Sequence, residues 1–145
     1  MPELPGKKVG LVSFSGEEMA EGTVTRLATL KVLESLRPGK TVTICLPLFL
    51  AGGEGERAFA RFHPTIAIDG CDKRCAAKGT EQYSSKPAAA IVATELCGPT
   101  SGELGTARCL NDTGVDAVTR VAAEITLCVD RLLDSRFESR KGKGR

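Results

Sequence analysis

The chain has 145 residues, 41% hydrophobic and 26% charged, with six cysteines and no Trp. Its 20 Lys and Arg face 18 Asp and Glu, a near balance that leaves no basic footprint for nucleic acid. The apolar share excludes a disordered chain, the longest apolar stretch, Ile44 to Ala51, is too short to span a bilayer, and the length suits one domain that buries a core without a disulfide staple.

Strands and helices alternate along the chain. Lys8 to Phe14 is a short apolar strand that ends in Ser15-Gly16. Ser15 and Glu18 have capping-box spacing, so a helix is expected from there. Its apolar stripe carries Val24, Leu27, Ala28, Leu30, Leu33 and Leu36, and Pro38-Gly39 stops it. Thr41 to Leu46 reads as a second strand, running into a loop with Gly52, Gly53 and Gly55. A short helix follows near Glu56 to Phe62, then a third strand, Thr65 to Ile68. Asp69-Gly70 turns the chain into a helix from Cys71 to Tyr83. Ala88 to Leu96 is the fourth strand, followed by a glycine-rich loop from Gly98 to Asn111. Thr113 to Asp116 resembles a second capping box, opening a last helix with Val118, Val121, Ala122, Ile125, Val129, Leu132 and Leu133 at helical spacing. Residues 136–145 form a basic tail, expected to be frayed.

Near-continuous apolar strands alternating with helices argue for a parallel sheet covered on both faces. The expected architecture is a small three-layer α/β/α domain with a four-stranded, mainly parallel sheet. It is Rossmann-like or flavodoxin-like, with a strand order of 2-1-3-4 by analogy with other doubly wound sheets.

The cysteines sort by position. Ligand sites in such sheets form at the carboxyl ends of the strands. Cys45 lies near the end of the second strand, Cys71 just after the third and Cys97 just after the fourth. Cys71 and Cys75 form a C-x-x-x-C pair, which on a helix shares one face, so both sulfurs can address one ion. A helix start, with Lys73, Arg74 and Lys78 nearby, favours thiolate, the form that metals and thiol chemistry both use. Cys109 falls in the long loop and Cys128 on the apolar stripe of the last helix, where a core role is expected.

Other constellations carry less. No lysine stands where a Walker loop needs one. Ala51 and Ala77 stand where a Cys-x5-Arg phosphate loop would need arginine, and no C-x-x-C occurs. His63, the single histidine, precedes Pro64 and the third strand, placing it at the edge opposite the cysteines. Asp69 is expected to cap the following helix and to help orient Cys71 or a ligand.

Asp69-Gly70-Cys71-x-x-x-Cys75, with Cys45-Leu46-Pro47, Gly52-Gly53 and Ser15-Gly16, resembles the DGC-domain family of zinc-binding proteins from about Val9 to Leu96. The resemblance implies an α/β domain with a cysteine-ligated metal site and no settled reaction. Cys45, Cys71 and Cys75 match the family's cysteines. Phe14 stands where many members have a further cysteine, which leaves Cys97 as the fourth metal ligand, with Cys109, Glu95 or a water as alternatives. Zn²⁺ is the expected ion and a metal ion the expected partner, in metal or metalloid handling or sensing. An iron–sulfur cluster on the same cysteines is an alternative. So is a thiol redox or transfer enzyme with Cys71 as nucleophile and Cys75 or Cys45 as resolving thiol. Membrane and nucleic acid are not expected partners. The start of the chain lacks an apolar leader segment, so the expected compartment is the cytoplasm.

Overall fold

The first strand of the computed structural model, β1 (Val9–Ser13), alternates in size. Val9 and Leu11 are fully buried on one face of the sheet, and Gly10 and Val12 take the other. The third strand repeats the pattern: Ile66 and Ile68 share the face of Val9 and Leu11, and Ala67 that of Val12. The period of two is that of a strand buried on both sides. The structure describes residues 8–13, 19–97 and 104–143; Ser15 and its capping box lie outside them.

Four strands pair in parallel in the order β2-β1-β3-β4. The others are β2 (Thr41–Thr43), β3 (Thr65–Asp69) and β4 (Ala89–Val92). Leu11 stands between Thr43 and Ile66, and Ile68 pairs onward with Ile91. This is the expected small α/β domain with the expected strand order.

The two sides of the sheet are packed differently. On the larger side, α1 (Ala20–Lys31) and α6 (Asp112–Lys143) cover the sheet. Val24, Ala28 and Val32 meet Val121, Ala122, Ile125 and Val129, all fully buried. Each such aliphatic side chain contributes about 1.5–3 kcal/mol by leaving water. On the smaller side, α3 (Glu54–Phe62) and α4 (Cys75–Tyr83) bring Phe59, Ala76 and Ala77 against Val12 and Ala67. Gly10 lets Phe59 lie directly on the sheet, because a side chain there would strike its ring and the Thr65 hydroxyl. The residues are small, so backbone approaches backbone closely.

The element boundaries depart from the sequence expectation in several places. After Lys31 the first helix widens into a π-turn, Val32–Leu36, with Arg37 N–H donating to the Val32 carbonyl at 2.8 Å. Val32 is thereby fully buried while Leu30, expected on the stripe, is exposed. β2 stops at Thr43, and the apolar run beyond it forms α2 (Leu46–Leu50), since Pro47 fits the first turn of a helix. Gly52, at φ +96°, turns the chain from α2 into α3. β4 likewise ends at Val92 and continues as α5 (Ala93–Cys97), so half of the expected strand is helix. Short apolar runs cannot separate strand from buried helix by periodicity. The last helix starts at Asp112 and is capped by Asn111, whose side-chain oxygen accepts from Gly114 N–H at 2.9 Å. Its backbone stays helical through the basic segment to Lys143. No helix among the described residues is long and apolar enough to cross a membrane.

Arg37 locks the end of the first helix to the last one. Its guanidinium donates to both carboxylate oxygens of Asp130, at 2.8 and 2.7 Å. This bond holds the Asp130 carboxyl below its usual pKa. A lowered folded-state pKa means that the stabilisation is present above the unfolded value and is lost as pH falls through the folded one. Both side chains are partly exposed, so the effect is modest. Asp130→Asn should lower the thermal midpoint by a few degrees at pH 7. The gap from the parent protein should close as pH falls below 3.8, the ordinary aspartate value, in a calorimetric series.

Candidate thiol site at the carboxyl edge of the sheet

Asp69 ends β3 and is 2% exposed. Its two carboxylate oxygens accept from the backbone N–H groups of Ala76 at 2.7 Å and Ala77 at 3.1 Å. These are first-turn donors of α4, which no carbonyl of the helix itself can satisfy. Burial pushes the Asp69 carboxyl above its usual pKa, opposed by the two N–H bonds and by the charges of Arg74 and Lys78. The expected cap is therefore present, but it reaches the N–H groups seven and eight residues ahead rather than the two or three of an ordinary N-cap.

That reach corrects the expected helix start. Helix α4 begins at Cys75, not at Cys71. Cys71 lies in a turn in which its carbonyl accepts from Arg74 N–H at 3.2 Å. Arg74 then takes a left-handed conformation, φ 54°, which breaks the backbone path between the two cysteines. The pair is thus not an i, i+4 pair on one helical face. The turn brings both residues to one pocket instead.

Gly70 fixes that turn against α1. A Cβ there would lie 2.8 Å from Gly22 N and 2.9 Å from the Glu21 carbonyl carbon. Two backbones cross at this point, and only glycine fits. Cys71, Cys75 and Lys73 line a pocket of about 220 Å³, whose other walls are Asp69, Gly70, Gly22 and Met19. Cys71 is half-buried and Cys75 exposed.

The remaining cysteines stand elsewhere. Cys45 is exposed and sits at the N-cap of α2, two residues beyond β2. In the strand order, β1 separates its strand from that of Cys71, a lateral step of about 9–10 Å. Cys97 closes α5, one helical turn beyond β4 rather than directly at its end. Cys109 is exposed in a tight turn where Thr106 N–H donates to its carbonyl at 2.9 Å. Next to it, the Ala107 carbonyl accepts from the Thr23 hydroxyl, which ties this turn to α1 beside Gly22. Cys128 is buried in the core, where burial pushes its thiol pKa up, as expected of a packing residue. His63 caps the end of α3 before β3, away from the cysteines, with its ring 5.1 Å from that of Phe59.

The donor chemistry of the pocket suits a soft ion, because it offers two thiols. Among the described residues, no group of three or more His, Cys, Asp or Glu side chains stands close enough together to hold a metal. Cys71 and Cys75 are the two cysteines that line this pocket, and a tetrahedral thiolate site would need two further ligands. Met19 and Gly22 were not anticipated as its walls. The signal available was Gly22 itself, a glycine inside a helix, which often marks a close approach.

Fold and site define a small doubly wound α/β protein with a cysteine-bearing loop at a strand end. A family model described as the DGC domain matches residues 11–125, and the chain belongs to that family. No curated protein and no solved structure gives a match.

The crossing at Gly70 yields a direct expectation. Gly70→Ala must push the loop off α1 and should cost about 1–3 kcal/mol, as overpacking does. A urea titration should show a lower midpoint at unchanged slope. Asp69→Ala leaves the two helix donors unsatisfied and should cost about as much again.

Proposed function

We propose that this protein binds a thiophilic metal ion through cysteine thiolates at the carboxyl edge of its sheet. One observation carries the reading: Cys71 and Cys75, the two cysteines of the DGC motif, line the same pocket. In this reading they are two of the ligands, and Cys45 and Cys97 are the other two. Zn²⁺ is the first candidate, since thiolates hold it tightly. Binding would release the thiol protons, so affinity would rise with pH. The role is one of metal or metalloid handling or sensing.

A second reading treats the pair as reactive thiols, with Cys71 attacking and Cys75 resolving. Lys73, a basic residue that lines the same pocket, is what favours it. An iron–sulfur cluster is a third occupant of the same cysteines.

Purification without oxygen, followed by metal content, visible absorbance and thiol titration on one sample, separates the three. The metal reading expects about one zinc per chain and no visible band. Cys71→Ser and Cys75→Ser should each weaken zinc by more than the ~10–100-fold typical of losing an outer-shell partner. Cys128→Ser should leave it unchanged. A brown protein would favour the cluster. A metal-free protein with one rapidly alkylated thiol would sink the metal reading and favour thiol chemistry.

A further inference from the structure

We propose that the Cys71–Cys75 pocket is a dithiol clamp for a trivalent arsenical that keeps a non-protein group. The inference rests on the reading of these two cysteines as a shared thiol site, and it names the ligand class. Three observations combine. Cys71 and Cys75 line one pocket, and the turn between them is closed by the 3.2 Å bond from Arg74 N–H to the Cys71 carbonyl. No third donor among the described His, Cys, Asp and Glu residues completes a metal-binding group. The pocket measures about 220 Å³, against the roughly 10–15 Å³ that seats one water.

A bare zinc ion uses four donors and little space. A trivalent arsenical differs on both counts. Its pyramidal centre is satisfied by two thiolates and one further substituent, which needs room beside the sulfurs. Met19 adds a polarisable, half-exposed apolar wall for that substituent. Gly22 and Gly70, whose backbones cross at the pocket, add no side chains to fill it.

Capture involves no redox change. For an arsine oxide, two As–S bonds form and the arsenic–oxygen bonding breaks. The two thiol protons leave with the oxygen as one water. Arsenic remains trivalent throughout.

Phenylarsine oxide is the probe, added to metal-free, reduced protein and read by intact mass spectrometry. The expected result is one phenylarsenic adduct per chain, formed with loss of one water. The adduct should survive a monothiol and be removed by a small dithiol. Cys75→Ser replaces an exposed residue and leaves the fold intact; it and Cys71→Ser should each abolish the monothiol-resistant adduct. Cys45→Ser and Cys109→Ser should keep it. An adduct that persists in both Cys71→Ser and Cys75→Ser overturns the proposal. So does its absence from untreated wild-type protein when iodoacetamide labelling of a parallel sample shows that both Cys71 and Cys75 are free and accessible. Zinc loading is measured separately: zinc bound without an arsenical adduct refutes the clamp and leaves the metal reading standing, whereas an adduct without zinc supports the clamp and counts against zinc.

Discussion

The placement of the site depends on one buried carboxylate. Asp69 sits at the end of β3 with both oxygens bonded to the first free N–H groups of α4. A buried charge is costly unless its lone pairs are satisfied, and a buried helix start is costly unless its donors are. Each requirement answers the other, so strand end and helix start are held as one unit. The residues between them must then bulge outward, and Cys71 and Lys73 stand on that bulge. Gly70 sets its direction by letting the loop press against the backbone of α1. The D-G-C sequence is therefore a structural sentence: an anchor, a crossing point and a thiol.

The asymmetry of the sheet serves the same end. On the α1 and α6 side, large aliphatic residues make a deep core. On the α3 and α4 side, Gly10, Ala67, Ala76 and Ala77 keep the layers close. Close packing there draws the start of α4 down onto the strand ends, within reach of Asp69. Stability is concentrated on one side of the sheet and precision on the other.

Much of this was legible in the sequence. The parallel sheet followed from four apolar runs separated by helices, with Asp69-Gly70 and Pro38-Gly39 as punctuation, whereas its strand order came by analogy with other doubly wound sheets. The core role of Cys128 followed from its place on a helical stripe. The failures have physical causes. Ala93 to Cys97 and Leu46 to Leu50 are segments too short to show a period, and both fold as helix. The helix at Cys71 was misplaced because a cap is usually sought just before a helix, whereas Asp69 reaches past a turn that includes the left-handed Arg74. The convergence of cysteines was legible only in part. The DGC pair shares a pocket, but Cys45 stands two strands away and Cys97 a helical turn beyond its strand, and strand ends alone do not report such displacements.

In the proposed reading, the thiols of the DGC loop are metal donors at this edge. X-ray absorption at the zinc edge of zinc-loaded protein tests it most directly. The account predicts a first shell that contains sulfur at about 2.3 Å and that loses sulfur when Cys75 is replaced by Ser. A shell of nitrogen and oxygen alone, or a sulfur shell unchanged in both the Cys71→Ser and Cys75→Ser variants, would contradict it.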